Sequence, residues 1–262
     1  MIITLTVFLI ACLASAVSGF FGSGSGLVSV PLLSHLLYFT NIPPQYNMHV
    51  VIGTLFPFGF VITVIATIIR HKQNIIDWNI FRRLLLPTIF GVICGSLCAH
   101  YINNFGLRIF FGLFILTVAI QNVVNLKYPN TKFWKISSFH FEIVGFLAAF
   151  SSGVTSMGIL MVLYLRKYGI SLLSSIAIAQ TIGIVTAIFG TVAYIILGLN
   201  IKELPASCLG YVNWQFLIPM VAGGLLFTKF GARLSYQIST KLLNQLFCGF
   251  LFIVALEMLF TH

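Results

Sequence analysis

Eight apolar runs, at about 2–39, 50–69, 84–102, 107–124, 139–165, 171–198, 213–229 and 240–260, take up most of this sequence. Several approach the ~20 residues a helix needs to cross ~30 Å of hydrocarbon. A chain so patterned has one outlet for its apolar surface, the lipid bilayer. Charge agrees: only 7% of the 262 residues are charged, against about a quarter in soluble domains. The net charge of +10 does not indicate nucleic acid, because Lys and Arg occupy the short gaps between runs, where the positive-inside rule places them.

Two runs depart from a simple span. The first, 2–39, is interrupted by "GSGSG" at 22–26, and the fifth, 139–165, by "SSGVTSMG" at 151–158. Each is long for one upright span and short for two. Gly and Pro break helices, yet in lipid every backbone polar group must find a partner. Broken or re-entrant segments are therefore expected, although a long tilted helix also fits the length. The beginning of the chain has no Lys or Arg before Arg70, which argues against a signal peptide and for a retained membrane segment.

The gaps sort by charge. Gap 70–83 is flanked by Arg70, Lys72, Arg82 and Arg83; 125–138 holds Lys127, Lys132 and Lys135; 166–170 holds Arg166 and Lys167; 229–241 holds Lys229, Arg233 and Lys241. If run 139–165 enters and returns, all four are cytoplasmic and 40–49, 103–106 and 199–212 are outside. Internal repetition points the same way. Trp78, Gly95 and Gly112 are spaced 17 and 17 apart, and Trp214, Gly231 and Gly249 are spaced 17 and 18 apart. Thr54 in "IGTL" matches Thr181 in "AQTI". The expected fold is all-α integral membrane: two inverted-topology repeats, each a broken or re-entrant helical segment plus three transmembrane helices. The boundaries are 1–125 for the first repeat, 126–138 for a cytoplasmic linker and 139–262 for the second.

The breaks suggest a site. A half-helix starting near mid-membrane turns its free N–H groups and partial positive charge inward. Two such ends make an anion cradle, with Gly22, Gly24, Gly26 and Gly158 allowing close approach and Ser23, Ser25, Thr155 and Ser156 adding hydroxyls. Thr54, Gln180 and Thr181 on the following helices are candidate members. No Lys or Arg lies near the middle of any run, so such a site would rest on dipoles. The competing reading is that the glycines only permit close helix packing. His49 is expected at the interface, Trp78 and Trp214 as interfacial anchors, and Glu142 and Glu257 near run ends. Cys94 and Cys98 are expected to be small packing residues.

Gly19, Gly22, Gly24, Ser25, Gly26 and Pro31, followed by "VIGTL", with "GYVNW" and "FGARL" in the second half, resemble the TauE/SafE family of sulfite and organosulfonate exporter-like permeases. The resemblance covers essentially the whole chain. It implies a multi-pass carrier of small sulfur-containing anions in the bacterial inner membrane. The family's first triple glycine is here Gly-Ser-Gly, and the second is degraded to "TSMGIL" with no following proline, which leaves substrate choice open. The implied partners are a small anion and the lipid bilayer, with homo-oligomer formation left open. No nucleic acid, cofactor, metal or enzymatic activity is expected. A passive anion channel is the nearest alternative. An intramembrane serine protease fits poorly, since its G-x-S-G string would need Gly where Ser23 stands.

Overall fold

The computed structural model describes residues 2–21, 25–127, 138–234, 249 and 251–258. The described parts of the apolar runs are mostly helical, as expected where only the chain's own backbone can satisfy its N–H and C=O groups. The first broken segment is α1 (Ile2–Phe21) and α2 (Ser25–Leu37). A short 3-10 turn, Pro44–Tyr46, leads into α3 (Asn47–His71), followed by α4 (Trp78–Tyr101) and α5 (Asn104–Lys127). The second broken segment is α6 (Ser138–Thr155) and α7 (Ile159–Lys167), followed by α8 (Leu172–Gly198) and α9 (Trp214–Leu234). Residues 251–258 are helical again. Among the described residues five helical stretches are long and apolar enough to cross a membrane: 2–19, 44–71, 78–101, 104–121 and 172–198.

Local chemistry sets several ends. The Asp77 carboxylate accepts from the N–H of Asn79 at 2.9 Å and of Ile80 at 3.3 Å, and so caps α4. Ser171 caps α8 by accepting from Ser174 N–H at 3.2 Å. Pro57, Pro87 and Pro219 lie inside α3, α4 and α9, as membrane helices tolerate when neighbours re-satisfy the freed groups.

The helices pair across the middle of the chain. α1 lies along α9, α4 lies along α6, and α3 lies along α8. Small residues make the first two contacts close. A Cβ on Gly95 of α4 would meet the Phe150 carbonyl of α6, and one on Gly231 of α9 would meet the Ala16 carbonyl of α1. Arg83 and Glu142 join α4 to α6 at 3.4 Å, with the guanidinium 5.2 Å from the Phe141 ring centroid.

The structure differs from sequence expectation at four places. A two-strand antiparallel hairpin, β1 (Cys208–Leu209) and β2 (Val212–Asn213), stands in the loop after α8. Gly210 turns it with φ 58°, the geometry a two-residue hairpin demands. His49 is not interfacial but buried, with 3% of its surface exposed. Arg70 is not a solvated loop charge; it is 1% exposed. Cys94 is exposed rather than packed. Residues 128–137, most of the expected linker, lie outside the described residues.

Candidate functional site

The site begins at the second break. α6 ends at Thr155, and Ser156 takes a left-handed backbone, φ 56°. This conformation is uncommon away from glycine, asparagine and aspartate. It is held by Ser156 N–H donating to Ser152 O at 2.7 Å and by the Ser152 hydroxyl, 2.7 Å from Met157 O. The chain then turns into α7 through Gly158, which caps that helix without a side-chain hydrogen bond. Met157 is buried and lies over Gly26, where a Cβ would approach its side chain to 3.0 Å.

These elements enclose a cavity of about 70 Å³, room for several waters or one small oxyanion. It is lined from the broken segments by Ser18, Ser25, Ser152, Ser156 and Gly158, and from the long helices by Thr63, Gln180 and Thr186, among apolar neighbours. Among the described residues no charged side chain lines it. Two of its glycines, Gly59 and Gly158, border empty space: a Cβ on either would meet nothing within 4 Å. A ligand could therefore reach the backbone there.

The residues singled out from sequence divide. Ser25, Ser156, Gly158 and Gln180 come together on the cavity wall. Gly26 is buried beneath Met157. Thr54, Thr155 and Thr181 direct their hydroxyls to the carbonyls of Val50, Ser151 and Ala177 at 2.7, 2.8 and 2.9 Å and do not line the cavity. Thr54 also accepts from Asn213 N–H at 3.0 Å, tying α3 to the hairpin. Gly22, Ser23 and Gly24 lie outside the described residues.

Sequence reasoning missed Ser18, Ser152, Thr63 and Thr186, though the internal match contained part of the signal. The cavity takes positions 1, 2 and 5 after Thr54 (Leu55, Phe56, Gly59) and the same positions after Thr181 (Ile182, Gly183, Thr186). Ser18 and Ser152 each precede a glycine, three residues before the end of α1 and of α6.

Behind the wall stands a cation. Arg70 Nε donates to Gln180 Oε1 at 2.6 Å, and Gln180, 2% exposed, has no hydrogen-bond partner at Nε2. On the other side a ladder of rings leads away from the cavity. Phe56, on the wall, packs on Tyr194 at 5.3 Å between centroids; Tyr194 meets Tyr211 of the hairpin turn at 6.0 Å; Tyr211 stacks on His49 at 5.1 Å and lies 5.9 Å from His100. Burial, helped by nearby Tyr46, pushes the Tyr211 phenol up to about 12. It stays protonated and can donate to His100 Nδ1, 3.0 Å away. His49 Nε2 donates to Ala99 O at 3.1 Å. Among the described residues no three His, Cys, Asp or Glu side chains converge as metal ligands.

Comparison with known proteins adds a second line. The family model described as sulfite exporter TauE/SafE matches residues 7–258. A "probable membrane transporter protein" of Haemophilus influenzae is 28% identical over 254 residues, covering 95% of this chain and 96% of the relative. Proteins given that same description in Methanocaldococcus jannaschii and Bacillus subtilis are 24% and 20% identical, over 91% and 95% of this chain and 89% and 94% of their own. No solved structure matches.

Proposed function

This chain belongs to the sulfite exporter TauE/SafE family, and from that membership we propose that it carries a small sulfur-containing anion, sulfite or a short organosulfonate, across the bacterial cytoplasmic membrane. The observation that carries the reading is the cavity itself. Ser25, Ser156, the start of α7 at Gly158, which has no side-chain cap, and Gln180, whose amide nitrogen has no partner among the described residues, all line a space of oxyanion size. Donors of this kind suit an anion. With no cation among the described wall residues, binding stays weak enough for release, which carriage requires.

The same reading takes the two halves, 1–125 and 139–262, as inverted repeats that hold the anion between them. The crossed pairing of α1 with α9 and α4 with α6 supports it, as do the matching wall positions after Thr54 and Thr181. The role is transport, not catalysis.

The test is flux into proteoliposomes from external radiolabelled sulfite, methanesulfonate and longer sulfonates. Uptake of at least one, competed by the others and absent from protein-free vesicles, is expected. Ser25→Ala and Ser156→Ala should each weaken apparent affinity about 5–150-fold, the loss of one buried donor at ~1–3 kcal/mol. Thr155→Ala, whose hydroxyl is spent on Ser151, should not. If the wild-type protein moves none of these anions, the reading fails.

A further inference from the structure

Arg70 follows an apolar run and opens a basic gap, so its sequence context marks it as a solvated charge of the cytoplasmic loop. The structure instead buries it at the end of α3 and aims its Nε at Gln180 of α8. Guanidinium only donates, so it fixes the amide: Oε1 faces Arg70, and Nε2, with its two donors, is left without a partner among the described residues, on a side chain that lines the cavity. A side-chain amide is otherwise indifferent to which end it offers. Without Arg70 it could turn its oxygen inward and reject an anion.

The arrangement has no twin in the other half. Matched on Thr54 and Thr181, the position of Gln180 corresponds to Gly53, and that glycine is filled by packing: a Cβ there would meet Tyr211 O at 2.7 Å. One side of the cavity therefore has a charge one side chain behind its wall, and the other has rings. Buried charge acts through low dielectric at longer range than a surface charge does.

We propose that Arg70 is the specificity-determining positioning residue of this cavity, locking Gln180 as a donor and lending the wall a positive potential without touching the substrate. The inference rests on the oxyanion reading above. It makes the site selective for anions over neutral and cationic solutes of the same size, while keeping the full charge out of direct contact. The substrate is held by neutral donors and can leave.

The experiment compares sulfite and methanesulfonate uptake by wild type, Arg70→Lys, Arg70→Met and Gln180→Glu in proteoliposomes, each checked for monodispersity after purification. Arg70→Lys keeps charge and a donor for Oε1, and its KM should stay within about threefold. Arg70→Met should raise KM tenfold or more with the maximal rate within about threefold, a split that a merely structural defect would not produce. Gln180→Glu keeps a partner for Arg70, as an ion pair, but puts an acceptor on the wall; it should fold and lose anion uptake at least a hundredfold. Should Arg70→Met not fold, Gln180→Glu and Arg70→Lys decide alone. Wild-type KM in a folded Arg70→Met protein, or near-normal uptake by Gln180→Glu, overturns this inference and leaves the oxyanion reading standing. No uptake by the wild type overturns both.

Discussion

Ser156 shows what one residue can reveal that composition cannot. Its left-handed backbone, φ 56°, is a place where glycine would cost less, by about 1–2 kcal/mol. Ser156→Gly should therefore raise the melting temperature while weakening anion affinity, because it relieves strain and removes a cavity hydroxyl. A variant gaining stability with unchanged affinity would show that the hydroxyl plays no part in binding. Gly158 gives the complementary experiment. Its φ of −89° suits any residue, and a Cβ there meets nothing. Gly158→Ala should fold as well as wild type and transport more slowly, since its methyl occupies ligand space. Unchanged flux would put the anion elsewhere. The serines and glycines at the breaks were visible in the sequence. Arg70 and His49 were not: charge and polarity along a chain report nearness to water, whereas burial depends on partners such as Gln180 and Tyr211 that lie more than a hundred residues away.

At the scale of elements, the runs and their interruptions were legible because apolar length and helix-breaking residues act locally. α6 and α7 are separated only by 156–158, inside the quoted "SSGVTSMG". The hairpin was not legible, since two-residue strands leave no periodicity, and its purpose is tertiary: it brings Tyr211 onto His49 and Asn213 onto Thr54. Helix pairing is a further consequence of small residues. Gly95→Val and Gly231→Val should each destabilise the protein by more than the ~1–3 kcal/mol usual for overpacking, because the obstruction is backbone carbonyl and cannot swing aside. Thermal unfolding in detergent measures this; Gly59→Ala, facing open space, is the control and should leave the melting point unchanged.

For the whole molecule, the Trp, Gly and Thr spacings led to the expectation of a duplication, but which helix of one half lies on which helix of the other was not legible. Spacing carries no information about that. The charge sorting predicts a sidedness. Single cysteines placed in a cysteine-free variant should react with an impermeant reagent on intact cells at 199–212 and be protected at 70–83 and 229–241. Strong labelling at 229–241 with protection at 199–212 would refute the inverted arrangement.

The ladder from Phe56 through Tyr194 and Tyr211 to His49 and His100 has an electrical consequence. A cell membrane is a charged capacitor, and a polar cavity within it is a potential short circuit. Between the cavity and the hairpin lie the rings of Phe56, Tyr194 and Tyr211, packed one on the next, and rings so packed are expected to interrupt a continuous path for small ions. A protein so insulated should rest in an energised membrane without discharging it. In planar bilayers it should show no unitary current steps under an applied voltage, and Tyr211→Ala, which removes the central rung, should introduce leak. Steps in the wild type at zero substrate would mean that the ladder does not insulate.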